Sequence, residues 1–206
     1  MNIQVAIDRV TLEQAKVLTE ELNTADIIEI GTSLTKDYGL VCVHELLPYK
    51  GGAKLLADIK TIDEGAYEFR QYFEAGADIL TVMGASAVAT LDSCYEVTQD
   101  FGKEMLIDLL ECSDEKIAKI SHYPDAIYSL HFSSDAGGEH DVVKALQEFT
   151  QKFPTIRRLA LAGGLTAKSL EELKHTPLEI GIIGGAVTKA DEPKEALNRI
   201  IEVIKG

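Results

Sequence analysis

The stretch Leu55-Leu56-Ala57-Asp58-Ile59-Lys60-Thr61-Ile62-Asp63 governs how the rest of the chain is read. It opens as an apolar run, residues 55–59, with the length of a buried strand, and it closes on ionisable side chains. Strand side chains alternate between faces, so Asp58 and Lys60 are expected on the same side. Asp63 follows three residues later, in the loop before the next helix. A charge at the end of a buried strand costs on the order of several kcal/mol unless it pairs, binds a metal or meets a ligand. The plainer reading makes Asp63 the N-cap of a helix beginning near Glu64, with Lys60 merely neutralising Asp58.

Runs of the same kind recur on both sides, at residues 3–7, 27–30, 79–83, 105–109, 127–131, 159–162 and 180–183. Their starts lie roughly 20 to 32 residues apart, enough for a strand, a loop and a helix of two to four turns. Between them the pattern turns helical. Residues 11–22 set Leu12, Ala15, Leu18 and Leu22 on one face, and residues 64–75 do the same with Ala66, Phe69, Tyr72 and Phe73. Strands alternating with helices imply parallel pairing, and eight units suit a compact (β/α)₈ barrel spanning 1–206 as a single domain. An open doubly wound sheet accommodates the same alternation. Ile7-Asp8-Arg9-Val10-Thr11, however, stands where a dinucleotide fold places its glycine-rich turn. Gly51-Gly52 reads as the turn before the third strand.

In such a barrel the chemistry sits at the C-terminal strand ends. Those ends carry Asp8, Glu29, Asp58 with Lys60, Thr81, Asp108, His131, Gly163-Gly164 and Gly184-Gly185. Glu29 and Asp58 close neighbouring strands, and two converging carboxylates completed by water describe a Mg²⁺ site. The plainer alternative pairs Glu29 with Lys60. His131, at the mouth of the sixth strand, is placed to act as an acid or base. Glycine pairs ending the seventh and eighth strands let backbone N–H groups approach a phosphate closely.

Composition narrows the partners. The 206 residues carry 34 Asp and Glu against 20 Lys and Arg, a formal charge of −14, which disfavours nucleic acid and anionic membranes. The same balance is awkward for an anionic substrate unless cationic groups are concentrated locally. Cys42, Cys94 and Cys112 are scattered and form no metal-knuckle spacing, as suits a reduced cytoplasm. The first residues lack a signal-peptide pattern, and no apolar run approaches the length of a membrane span.

Two segments carry a resemblance. Leu56-Ala57-Asp58-Ile59-Lys60-Thr61-Ile62-Asp63-Glu64-Gly65, followed by Phe73-Glu74-Ala75-Gly76-Ala77-Asp78-Ile79-Leu80-Thr81-Val82-Met83-Gly84, is similar to the orotidine 5′-monophosphate decarboxylase superfamily. Within it, the chain most resembles the 3-hexulose-6-phosphate synthases and their sisters, the 3-keto-L-gulonate-6-phosphate decarboxylases, from Asp8 to the Gly184-Gly185 loop. The resemblance implies a Mg²⁺-dependent barrel that binds a sugar phosphate and passes through a 1,2-enediolate. Carried over by position, Glu29 and Asp58 organise Mg²⁺, Asp8 contacts the sugar, and Lys60 and Asp63 stabilise the enediolate and orient its hydroxyls. It further implies a homodimer in which Asp63 enters the partner's site.

Four positions favour the synthases over the decarboxylases. Asp108 stands where the decarboxylases have Glu, and His131-Phe132-Ser133-Ser134 lacks their Arg. Ala162 replaces their Thr, and Gly184-Gly185 replaces their Gly-Arg. The chain also departs from the synthases at Leu110-Glu111-Cys112-Ser113, at Asp135-Ala136-Gly137-Gly138-Glu139-His140 and at His122-Tyr123-Pro124-Asp125-Ala126. The expected reaction joins D-ribulose 5-phosphate to formaldehyde, with His131 removing the C1 proton and Lys60 holding the enediolate charge. Decarboxylation, pentulose-phosphate epimerisation and non-catalytic sugar-phosphate binding are the alternatives. The paired-Asp, His-rich metal site of the epimerases is not evident in the sequence.

Overall fold

The computed structural model describes residues 1–132 and 141–205. Eight parallel strands close in sequence order, β1 (Asn2–Ile7), β2 (Ile27–Ile30), β3 (Lys54–Thr61), β4 (Ile79–Met83), β5 (Glu104–Asp108), β6 (Ile127–His131), β7 (Arg158–Ala162) and β8 (Ile180–Ile183). β8 pairs with β1 to complete the ring. The fold is a (β/α)₈ barrel, and each apolar run of the sequence has become a strand within two residues of its expected ends. The helices are α1 (Leu12–Glu21), α2 (Thr32–Tyr38), α3 (Leu40–Leu46), α4 (Gly65–Glu74), α5 (Val88–Phe101), α6 (Asp114–Ile120), α7 (Val142–Lys152), α8 (Ala167–Leu173), α9 (Gly185–Thr188) and α10 (Pro193–Lys205).

Local chemistry starts several of these helices. Thr11 and Gln14 form a reciprocal capping box on α1, Thr166 and Ser169 do so on α8, and Ser113 and Asp141 cap α6 and α7 through their side-chain oxygens. The Leu110–Ser113 departure is thus a turn that ends in a cap. The segment between β2 and β3 holds two short helices and a 3₁₀ turn, Leu47–Tyr49, where the sequence pattern suggested one helix. Gly51-Gly52 forms the turn before β3, as expected. On α4 the buried face is Gly65, Phe69 and Phe73, with Tyr72 half-buried; Ala66, expected on that face, is exposed. A Cβ on Gly65 would lie 2.6 Å from Cys94 Sγ and 2.9 Å from the Thr90 carbonyl, so α4 rests directly on α5 there.

Two apolar layers build the barrel. One lies between the sheet and the helices, and outward strand residues such as Ile3, Val5, Ile28, Leu55 and Leu80 belong to it. The other plugs the interior with Ile27, Leu56, Ile79, Leu106, Ile127, Ala160 and Ile180. Two residues further along the same strands come Glu29, Asp58, Thr81, Asp108 and Ser129, all buried, with Gln4 of β1 beside them. Because strand side chains repeat every second residue, the step from apolar plug to polar layer is about 7 Å.

Ion pairs cover the opposite, N-terminal face. Arg158 bridges Glu104 (2.8 Å) and Glu179 (2.6 Å), Lys54 also reaches Glu104, and Asp78 takes Lys103 at 2.7 Å and Lys50 at 3.6 Å. All three cysteines are free. No helix among the described residues is long and apolar enough to cross a membrane.

Candidate active site

The polar layer opens into a cavity of about 470 Å³ at the C-terminal end of the barrel. Asp8, Glu29, Asp58, Lys60 and His131 line it together with Gly163, Gly164, Gly184 and Gly185. Asp8, just past β1, is held by the backbone N–H groups of Ser33 (3.0 Å) and Arg9 (3.1 Å) and by the Ser33 hydroxyl. This anchoring requires Gly31, where a Cβ would fall 2.7 Å from the Asp8 carboxyl carbon.

Glu29 accepts a hydrogen bond from Gln4 Nε2 at 2.6 Å and forms no ion pair among the described residues, so it does not pair with Lys60. Burial, and then the nearby Asp58 charge, pushes its carboxyl up to about 8, against the opposing pull of Gln4 and Lys60. Asp58 accepts from the hydroxyls of Thr32 and Thr81, the latter at 2.8 Å. Each carboxylate still has unshared lone pairs. Among the described residues no group of three or more His, Cys, Asp or Glu gathers as a metal cage. Two crowded carboxylates beside open space are what Mg²⁺ uses, since it keeps several water or substrate oxygens for itself. The residues present therefore fit that ion.

Lys60 reaches its place by an unexpected route. Simple alternation was to set it beside Asp58, yet β3 slips register against β4 between Ala57 and Thr61, and Lys60 adopts a left-handed backbone with φ +48°. Such a conformation costs a non-glycine residue on the order of 1 kcal/mol or more. The bulge delivers the ammonium between two carboxylates, 3.2 Å from Asp58 Oδ2 and 2.6 Å from Asp108 Oδ2. Burial alone would lower the Lys60 pKa, but Asp58 and Asp108 overcome it and hold the amine above its ordinary value. The neutralising pair with Asp58 is thus real, and it is half of a larger network.

His131 completes that network, its Nδ1 lying 2.8 Å from Asp108 Oδ2. Burial opposes the Asp108 charge, yet the His131 hydrogen bond and the Lys60 charge hold its carboxyl down to about 2. An ionised Asp108 accepts only, so Nδ1 is the donor, and Nε2 is left free of that bond.

The glycine pairs differ in role. Gly163 (φ +112°) lies so close to β6 that a Cβ would sit 2.6 Å from the Phe132 carbonyl, while Gly164 (φ +67°) faces open space. Gly184 and Gly185 begin α9, and Thr188 and Lys189 line the cavity next to them. Asp63 is exposed, lines no part of this cavity, and is not the cap of α4; that position belongs to Glu64, which makes no side-chain capping bond. Sequence reasoning missed Gln4, Arg9, Thr32, Ser33 and Lys189. For Gln4 a signal existed, because it shares the parity of Ala6 and Asp8 and is polar within a buried run. The 133–140 stretch, including Ser133, Ser134 and the Asp135–His140 departure, lies outside the described residues. The 122–126 departure is structural: Tyr123 is buried and donates to Asp92 at 2.6 Å.

A family model described as orotidine 5′-phosphate decarboxylase / HUMPS family matches residues 1–200. The chain is 30% identical over 209 residues to a 3-hexulose-6-phosphate synthase of Staphylococcus haemolyticus (strain JCSC1435), covering 100% of both chains. Among solved structures, a 3-hexulose-6-phosphate synthase superposes with TM-score 0.89 at 27% identity, over 99% of this chain and 100% of the other. A 3-keto-L-gulonate-6-phosphate decarboxylase from Vibrio cholerae O1 biovar El Tor str. N16961 gives TM-score 0.85 at 26% identity, over 99% and 97%.

Proposed function

The chain belongs to the orotidine 5′-phosphate decarboxylase / HUMPS family, and from that premise we propose that it is a lyase joining formaldehyde to D-ribulose 5-phosphate, giving D-arabino-3-hexulose 6-phosphate. The observation that carries this reading is the Lys60–Asp108–His131 network, joined through Lys60 to Asp58, with Glu29, Asp58, Lys60 and His131 lining one cavity. Full-length likeness to 3-hexulose-6-phosphate synthases supports the choice of reaction.

Glu29 and Asp58 would hold Mg²⁺, which would supply Lewis-acid polarisation of a substrate carbonyl. The phosphate lies on the backbone N–H groups around Gly164 and Gly185, and Asp8, fixed by Ser33, orients a sugar hydroxyl. His131 Nε2 takes the C1 proton, and Asp108 steadies the resulting imidazolium. The Lys60 ammonium meets the negative charge that develops on the enediolate oxygens. C1 then bonds to the formaldehyde carbon as the C2 carbonyl re-forms and the formaldehyde C=O π bond opens, and the imidazolium returns its proton to the oxygen that came from formaldehyde. Local groups thereby answer the overall acidity of the chain, because Lys60, Arg9 and Lys189 all line the cavity. The three free cysteines suit a reducing cytoplasm.

The acting unit is a homodimer in which Asp63 of each copy enters the other's cavity. Support comes from its exposure outside its own cavity, with Ile62 57% and Tyr67 66% exposed beside it. Inactive Asp63→Asn and Lys60→Ala chains, mixed and reassociated, are expected to recover activity in the hybrid; no recovery would reject the shared site.

Incubating the protein with Mg²⁺ and D-ribulose 5-phosphate in D₂O tests the chemistry without presuming the second substrate. Exchange of the C1 hydrogen, followed by hexulose phosphate formation on adding formaldehyde, is the expected result. Failure to exchange would refute enediolate chemistry. Exchange without the aldol product, together with turnover of 3-keto-L-gulonate 6-phosphate, would reassign the chain to the sister reaction.

A further inference from the structure

We propose that Thr81 is the positioning residue of this site, its single hydroxyl tying the left-handed backbone of Lys60 to the Asp58 carboxylate. At the bulge, Ala57 pairs with Leu80 and Thr61 with Val82, so β3 spends more residues than β4 and part of its backbone loses ladder partners. The Lys60 N–H is one such group, and it donates to Thr81 Oγ1 at 2.9 Å. The same hydroxyl donates to Asp58 Oδ1 at 2.8 Å. A backbone N–H only donates and a carboxylate only accepts, so the hydroxyl has one orientation that satisfies both. Thr81 itself is buried, 3% exposed.

The consequence reaches the ammonium. Lys60 Nζ meets Asp58 Oδ2 at 3.2 Å, so the clamp and the ion pair close a loop through one carboxylate, its Oδ1 on Thr81 and its Oδ2 on Lys60. Thr32 secures Oδ2 from the β2 side. Without the hydroxyl, a half-buried N–H loses its partner at the residue with the strained backbone. The chain relaxes there, and Nζ moves relative to Asp108. Thr81 touches no reacting atom; it acts through Lys60 and Asp58.

Thr81→Val keeps the side-chain shape and removes the hydroxyl, whereas Thr81→Ser keeps the hydroxyl. Two readouts on the full chain decide the matter: amide hydrogen exchange at Lys60 by NMR, and C1-hydrogen exchange of D-ribulose 5-phosphate with Mg²⁺ in D₂O. Thr81→Val is expected to lose Lys60 amide protection and to slow C1 exchange roughly 10- to 100-fold, with the KM for the sugar phosphate changed less than about twofold. Thr81→Ser is expected to recover both. A protected Lys60 amide in Thr81→Val overturns the proposal, as does unchanged turnover per folded molecule with only a lower Tm. The catalytic half rests on the reaction proposed above; if the wild-type protein exchanges no C1 hydrogen, that reaction fails, while the amide comparison still decides the clamp. Should Thr81→Val not fold, Thr81→Cys, similar in size and a weak hydrogen bonder, takes its place in both measurements.

Discussion

Lys60 combines a strained backbone with an ammonium that two carboxylates compete for. Its removal leaves the neighbours provided for. Asp108 keeps His131 and the Leu110 N–H, and Asp58 keeps the hydroxyls of Thr32 and Thr81. Lys60→Ala is therefore expected to lower C1 exchange by roughly 10² to 10³-fold while melting close to the wild-type temperature. Retention of most exchange activity would count against the charge-stabilising role. At this scale, residue type was readable and conformation was not. The D-x-K-x-x-D spacing pointed to Lys60, but nothing in Ile59-Lys60-Thr61 marks a left-handed residue, because glycine is the usual signal and is absent. Asp63 was readable as a loop residue; its exposure only became visible once the helix proved to start at Gly65 without its help.

Elements were legible wherever burial is on both faces. Every strand sits between the interior plug and the helix layer, so each reads as a short continuous apolar run, and the runs give the barrel. The bulge in β3 escaped notice because extra residues in a strand leave the hydrophobic pattern unchanged. Helix faces were legible to within a residue, and α4 shows the reason for the slip. A glycine has no side chain to contribute to an apolar pattern, yet Gly65 is the closest point of α4 to α5. Gly65→Ala is expected to destabilise the fold by about 1–3 kcal/mol, because the added methyl meets Cys94 Sγ and the Thr90 carbonyl of a well-packed helix. Thermal or denaturant unfolding measures this directly, and an unchanged midpoint would show that α4 can shift at no cost.

For the whole molecule, the N-terminal face predicts the response to acid. Burial opposes the charges of Glu104 and Asp78, but hydrogen bonds and charges from Lys54 and Arg158 on the one, and from Lys103, the Leu55 N–H and Lys50 on the other, hold both below the usual carboxylate range. Depressed carboxylates contribute stability above their unfolded pKa, near 4, and that contribution is lost as pH falls through the folded values. Tm should drop as the pH is lowered from about 5 to about 3. Glu104→Gln should start lower at neutral pH and lose less on acidification; a parallel pH profile would remove Glu104 from the account. None of this was legible in the formal charge of −14, which counts acids without locating their partners. The ring order has a stereochemical consequence as well. β2, carrying Glu29, and β6, carrying His131, lie four strands apart in a ring of eight. A planar enediol gripped from the β2 side turns only one of its faces toward the imidazole. Deuterium should accordingly enter a single prochiral position at C1 of ribulose 5-phosphate, which proton NMR of the recovered sugar phosphate would show as loss of one diastereotopic signal and survival of the other.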